Sequence, residues 1–174
     1  MRKKDLKKDE YGHFYTTYLN MMDSDEEIVE CLRDERESFL EFAKSLSQEQ
    51  LQHRYAKGKW TVAELLIHII DTERIFLYRA FRFSRNDMTP LPGFEQDGYV
   101  LESDSEKRTK ESIIEEFINV REVTLNMFEL ISEEKLTRVG MASGMPWSVG
   151  AIGFVISGHQ RHHFKILRER YFLN

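Results

Sequence analysis

A single cysteine, Cys31, leaves no partner for an intrachain disulfide, so a reducing, cytoplasmic setting is expected. Three prolines and nine glycines are few for 174 residues, which favours a handful of long helices over a sheet of many short strands. No apolar run approaches the roughly 20 residues that cross a bilayer. No apolar stretch follows the charged N-terminal residues either, so no secretory leader and no membrane partner are expected. Excess positive charge is also missing. The net charge of -5 excludes an overall basic footprint for nucleic acid, and the one basic run, Arg2, Lys3, Lys4, Lys7 and Lys8, reads as a solvated or frayed end. There is no nucleophile elbow, no glycine-rich phosphate loop, no Cys-x-x-Cys and no His-Glu-x-x-His. Any chemistry must therefore depend on a metal.

What the sequence does hold is an ordinary soluble composition, 41% hydrophobic and 32% charged, with enough length to bury a sizeable core. Residues 1–22 read as an N-terminal arm with an aromatic clump, Tyr11, Phe14, Tyr15 and Tyr18, and residues 23–174 as a single domain. Ser24 to Glu27 has the pattern of a capping box. Ile28, Leu32, Phe39, Phe42 and Leu46 follow at helical spacing, predicting a first helix from about Asp25 to Leu46. Thr61 and Glu64 form a second capping box, and a second helix runs from there to about Ser84 with Leu65, His68, Ile69, Thr72, Phe76 and Arg79 on one stripe. Residues 86–104 form a long loop and a candidate lid, whose Leu91, Phe94 and Tyr99 predict that it packs down. A third helix is expected from about Ser105 to Ile131, then a connector from Ser132 to Pro146, then a fourth helix after the N-cap Ser148. Trp60-Thr61-Val62 and Trp147-Ser148-Val149 open the second and fourth helices alike. This short internal repeat fits two similar hairpins in an all-α four-helix bundle.

The fourth helix carries Ile152, Ile156, His159, His163, Ile166 and Arg170 at steps of 4, 3, 4, 3 and 4, the seam of a bundle helix. His159 and His163 therefore stack one turn apart on the inner face, while His162 falls at the seam's edge or outside. His68 sits on the inner stripe of the second helix. Three histidines aimed at one core allow a three-histidine metal site; each alone could equally be a hydrogen-bonded core residue. A buried imidazole cluster without a metal is costly, which tips the balance toward metal. His13 and His53 read as surface residues and Cys31 as inert. Glu64, Asp71 and Glu73 lie close enough in sequence to His68 to orient a ring or act as a base, against the simpler readings of cap and ion pair. Arg74, Arg79 and Arg82 could line a pocket for a thiol cofactor or could be surface charges.

The stretch from Gly58 through Trp60-Thr61-Val62-Ala63-Glu64 to His68 and Arg74, with Ser157-Gly158-His159-Gln160-Arg161-His162-His163, resembles the DinB-like (DinB/YfiT) superfamily. That family's pattern is one histidine shortly after a Trp-[Ser/Thr] helix start, then a His-x3-His pair near the C-terminus. The resemblance spans about residues 25–173 and includes Pro90-Leu91-Pro92-Gly93-Phe94 and Arg168-Glu169-Arg170-Tyr171. It implies an up-down-down-up bundle, often a homodimer. It implies a divalent metal, zinc or nickel, held by His68, His159 and His163 with positions open to water or a small-molecule substrate. It also implies one of two activities, hydrolysis or thiol S-transfer from a low-molecular-weight thiol to an electrophile. The alternative is a non-catalytic, metal-stabilised helical scaffold, in which Glu64 would supply a fourth ligand.

Overall fold

The computed structural model describes residues 1–171; residues 172–174, where the expected domain ends, lie outside the described residues. Residues 1–27 carry two 3-10 turns, Lys3–Asp5 and His13–Tyr15, and one short α-helix, α1 (Thr16–Leu19). Next come α2 (Ile28–Ser45), a single turn α3 (Gln48–Leu51), α4 (Val62–Ser84), α5 (Gln96–Leu101), α6 (Lys110–Leu130) and a turn α7 (Glu133–Leu136). A hairpin of β1 (Val139–Ala142) and β2 (Met145–Ser148) leads into α8 (Val149–Ile166), which widens into a π-helical turn over Leu167–Tyr171. No helix among the described residues is long and apolar enough to cross a membrane.

Two helix starts follow local sequence rules. Thr61 Oγ1 accepts from the Glu64 amide, and the Glu64 carboxylate accepts from the Thr61 amide, so α4 begins in the predicted capping box. Ser148 Oγ accepts from Ala151 N at 3.0 Å and opens α8. Two other starts differ from expectation. The Ser24 box does not form, and α2 begins at Ile28 because Glu27 is extended and bridged to Arg2. The carbonyls of Ser24 and Glu26 instead accept from Lys4 N and Lys3 N, at 2.9 and 3.0 Å. The basic N-terminal run is thus partly tied down rather than frayed, and Lys4 pairs with Asp25 at 2.6 Å. The third long helix begins at Lys110, capped by Thr109; Ser105–Lys107 is a separate 3-10 turn.

The connector before α8 contains the hairpin, which the sequence reading does not anticipate. Its turn residues, Ser143 and Gly144, both have positive φ (54° and 72°), the primed geometry that matches strand twist. The 86–104 loop docks on this hairpin. Leu91 is buried, its amide donates to Met141 O at 2.9 Å, and its carbonyl accepts from Ser143 N at 3.0 Å. Tyr99, expected to pack down, is instead 49% exposed.

The core has two apolar clusters. The first holds Ile28 and Leu32 of α2, Phe76, Ala80 and Phe83 of α4, Leu125 and Phe128 of α6, and Val149–Ile156 of α8. The second holds Phe39–Ala43 of α2, Val62–Ile70 of α4, Ile113–Val120 of α6, and Phe164 with Leu167 at the end of α8. Along α2 and α8 the chain passes from the first cluster to the second, and along α4 and α6 from the second to the first. The bundle is therefore up-down-down-up. Between the clusters every long helix contributes buried polar side chains: Glu35, Thr72 with Glu73, Arg121 with Thr124, and His159 with Gln160. The candidate site lies in this polar layer.

Candidate metal centre

His68 is the seventh residue of α4, on the face turned toward α8, and is 3% exposed. His159 and His163 stand one turn apart on α8, the first 5% exposed and the second half-buried. Their Nε2 atoms meet. His68 Nε2 is 3.1 Å from His159 Nε2, and His163 Nε2 is 2.9 Å from the same atom. Among the described residues this is the one group of three or more His, Cys, Asp or Glu side chains whose ligand atoms converge, all within 4.8 Å of one another.

Hydrogen bonding alone does not account for the arrangement. A ring nitrogen carries either one proton or one lone pair. His159 Nε2 therefore cannot make a full hydrogen bond with both neighbours, and nitrogen lone pairs facing each other in a dry core repel. A cation among them resolves this. Two imidazole nitrogens on one zinc at about 2.0–2.1 Å lie about 3.3 Å apart in a tetrahedral shell, close to the spacings observed. Protonation points the same way. Burial lowers the His68 pKa to about 4. Burial first, then the neighbouring His163, His68 and His162, hold His159 well below its ordinary value. His163 is lowered to about 2 by burial, with His68 and His162 adding to it. All three rings are neutral at pH 7, the form that binds metal. Of their outward nitrogens, His68 Nδ1 faces Thr72 Oγ1 at 3.5 Å, while His163 Nδ1 has no hydrogen-bond partner among the described residues.

Residues 32–167 match the DinB superfamily. The chain belongs to that superfamily. Over 127 residues it is 29% identical to an Oceanobacillus iheyensis protein named "Putative metal-dependent hydrolase", covering 71% of each chain. Its fold is similar to that of YfiT from Bacillus subtilis, with a TM-score of 0.69 and 13% identity, covering 81% of this chain and 84% of that one. YfiT is described as "a probable metal-dependent hydrolase with an unusual four-helix bundle topology". The up-down-down-up order traced through the two clusters agrees with that likeness.

The other candidate residues of this DinB-superfamily chain do not converge on the histidines. Glu64 is held at the start of α4 by its cap. Asp71 pairs with Arg74 at 3.0 Å, and burial pushes its carboxyl up. Glu73 is buried with both carboxylate oxygens bonded to Arg121, each at 2.8 Å. Arg74 also reaches Glu116 on α6, at 2.6 Å. Arg79 is not a surface charge: its Nη2 donates to Pro92 O at 3.1 Å and to Ser143 Oγ at 2.9 Å, tying α4 to the long loop and the hairpin turn. Arg82 pairs with Asp87 and the Tyr78 hydroxyl. His162 lies outside the cluster, half-buried, with its ring against Tyr18. Cys31 is buried, and its thiol is pushed up to about 12, chiefly by burial, so it is inert as a nucleophile. A hollow of about 630 Å³ between α4 and α6 is lined by Tyr78, Phe81, Val123 and Leu130 and by none of the three histidines.

Several residues that shape the centre escape sequence reading. Arg121, fully buried on α6, bonds to Glu73 of α4, to Leu32 O of α2 at 2.7 Å and to Gln160 of α8 at 2.9 Å. Gln160, next to His159, donates to Glu35 O and Glu35 Oε2 at 2.6 and 3.1 Å. One guanidinium thereby joins all four helices beside the histidines. The signal for it exists in the sequence: Glu35 continues the Ile28, Leu32, Phe39 seam, and Arg121 sits four residues after Phe117. Charges of opposite sign on inner stripes mark such a layer.

Proposed function

We propose that this protein is a metal-dependent hydrolase of a small-molecule substrate, with a divalent ion, zinc or nickel, held by His68, His159 and His163. The observation that carries the reading is the convergence of three neutral imidazole nitrogens with Glu64 engaged elsewhere. Three protein ligands leave coordination open, as catalytic sites do, whereas a structural zinc normally has four. This favours an enzyme over a metal-stabilised scaffold. A divalent ion on three neutral rings keeps its full positive charge and so activates water or a thiol near neutral pH. The chain's own residues supply the rest. Thr72 faces the outer nitrogen of His68, the Arg121 layer fixes the separation of α4 and α8, and burial keeps the rings unprotonated.

Hydrolysis is preferred to thiol transfer for a particular reason. A thiol cofactor needs cations for its carboxylates, and Arg74, Arg79 and Arg82 are each bound to other partners. The names of the two similar proteins support the same choice.

The test is metal binding followed by assay. Metal-free protein titrated with zinc or nickel should take up one ion per chain. His68→Ala, His159→Ala and His163→Ala should each lower affinity by at least about 100-fold, the upper range for removing a mere supporting residue. The loaded protein should hydrolyse members of an ester, amide and phosphoester panel, and the three variants should not. Unchanged affinity in His163→Ala, or thiol-dependent consumption of electrophiles without any hydrolysis, would overturn the assignment.

A further inference from the structure

We infer that Tyr18, carried by the N-terminal arm, is a wall of the metal centre and governs access to His159. The inference rests on the proposed metal centre for its functional meaning but stands on its own geometry. The Tyr18 ring meets the His159 ring edge-on, with centroids 5.3 Å apart and planes at 89°. It also meets the His162 ring at 5.2 Å. Gly158 explains how an arm remote in sequence comes so near. A Cβ there would stand 2.3 Å from Tyr18 O and 2.8 Å from Tyr18 C, so only glycine lets the arm's backbone lie on α8 one residue before His159.

The arm is seated firmly enough to act as a wall. Leu19 and Met22 are buried in the first apolar cluster. Arg161 donates from Nη1 to Met21 O at 3.1 Å and pairs with Glu26 at 2.7 Å. Tyr15 packs edge-on against Tyr18 on one side and against Trp147 on the other. The consecutive residues Gly158 to His163 thus divide their work: one admits the arm, one clamps it, two face the metal position, one joins the polar layer and one backs Tyr18. Across the cluster the Trp60 ring lies 4.9 Å from that of His68. The histidines are flanked by an aromatic ring on each side, and His163 is the most exposed of the three. Tyr18 beside His159 and Trp60 beside His68 therefore bound the cluster with aromatic surface.

Access is read by site-resolved carbethoxylation of the metal-free protein with diethyl pyrocarbonate, which acylates neutral imidazoles; exposed His53 serves as the internal standard. Tyr18→Ala should raise the His159 rate relative to His53 by about tenfold, Gly158→Ala should do likewise by unseating the arm, and Tyr18→Phe, which keeps the ring, should match wild type. Phe14→Ala is the control. Phe14 is exposed and packs on Tyr18 without touching the histidines, so its loss should change the rate by less than twofold. A His159 rate unchanged in Tyr18→Ala, or raised equally by Phe14→Ala, overturns the inference. Because this readout needs no metal, its failure is distinct from failure of the metal centre. In protein loaded with zinc, Tyr18→Ala should also speed removal of the ion by EDTA, a bulky anion, by more than it speeds removal by flat 1,10-phenanthroline.

Discussion

Arg121→Met is expected to remove about 3–5 kcal/mol of folding stability, a large fraction of the roughly 5–15 kcal/mol typical of a folded domain. The guanidinium is fully buried, lies over the Phe117 ring at 4.9 Å and binds both oxygens of Glu73. Taking it away strands a carboxylate whose side chain is 1% exposed, together with the Leu32 carbonyl and the Gln160 amide oxygen. An uncompensated buried charge is among the most destabilising single changes in a core. The paired change Glu73→Leu/Arg121→Met should recover most of the loss, since replacing both partners by apolar groups is often neutral or better. Equilibrium urea unfolding measures both. Metal affinity then separates two roles for the layer. Glu73 is five residues from His68 and Gln160 adjoins His159, so the double variant, though stable, should bind zinc about 10–100-fold more weakly. Wild-type affinity in the double variant would mean that the layer supports the fold and leaves the histidine spacing to other contacts.

Acid is expected to unfold the metal-free protein over the range between pH 6.5 and about 4. A histidine whose folded pKa lies below its unfolded value takes up its proton more readily in the unfolded chain. Throughout the window the unfolded state binds more protons, so stability falls as pH falls. For His68 the drop from 6.5 to about 4, at about 1.36 kcal/mol per unit, corresponds to roughly 3 kcal/mol. His159 and His163 are displaced in the same direction and add to it. Urea unfolding at pH 7.5 and pH 4.5 tests this, and a difference under about 1 kcal/mol would contradict it. The same shifts make a second, opposite-looking expectation for the folded state. Protons compete weakly for rings with such low pKa values, so zinc affinity should change by less than about threefold between pH 7 and pH 5.5. A site built from unperturbed histidines would lose far more over that interval.

The parts legible from the sequence are those set by local rules. The capping box at Thr61 and the N-cap Ser148 fix where α4 and α8 begin, and the seam spacing fixes that His68, His159 and His163 point inward. The misread parts are those where a distant segment competes for the same backbone groups. Ser24 to Glu27 has the letters of a capping box, but the arm takes the carbonyls of Ser24 and Glu26, so the helix waits until Ile28. The hairpin hides because its strands are four residues each, one contains Pro146, and the turn is Ser-Gly rather than Asn-Gly. Glu73 is named from its spacing to His68 and Arg79 as a cation that could line a pocket, yet their partners, Arg121 and the loop at Pro92, are settled only by tertiary packing. Tyr18 could not be placed at all, because nothing local in the arm says which helix it will cross.

The layer of polar side chains between the two apolar clusters has a consequence for alignment. Hydrocarbon surfaces are forgiving: Leu, Ile and Phe faces slid past one another by one turn still bury similar area. The layer is not forgiving. A slip of α6 against α4 by one turn, about 5.4 Å, would carry Arg121 away from Glu73 and set each against hydrocarbon. The four helices can thus come together in many near-equivalent ways at either end, but in only one way at the middle. The vertical alignment of the bundle, and with it the meeting of His68 with His159, is chosen by charge rather than by shape.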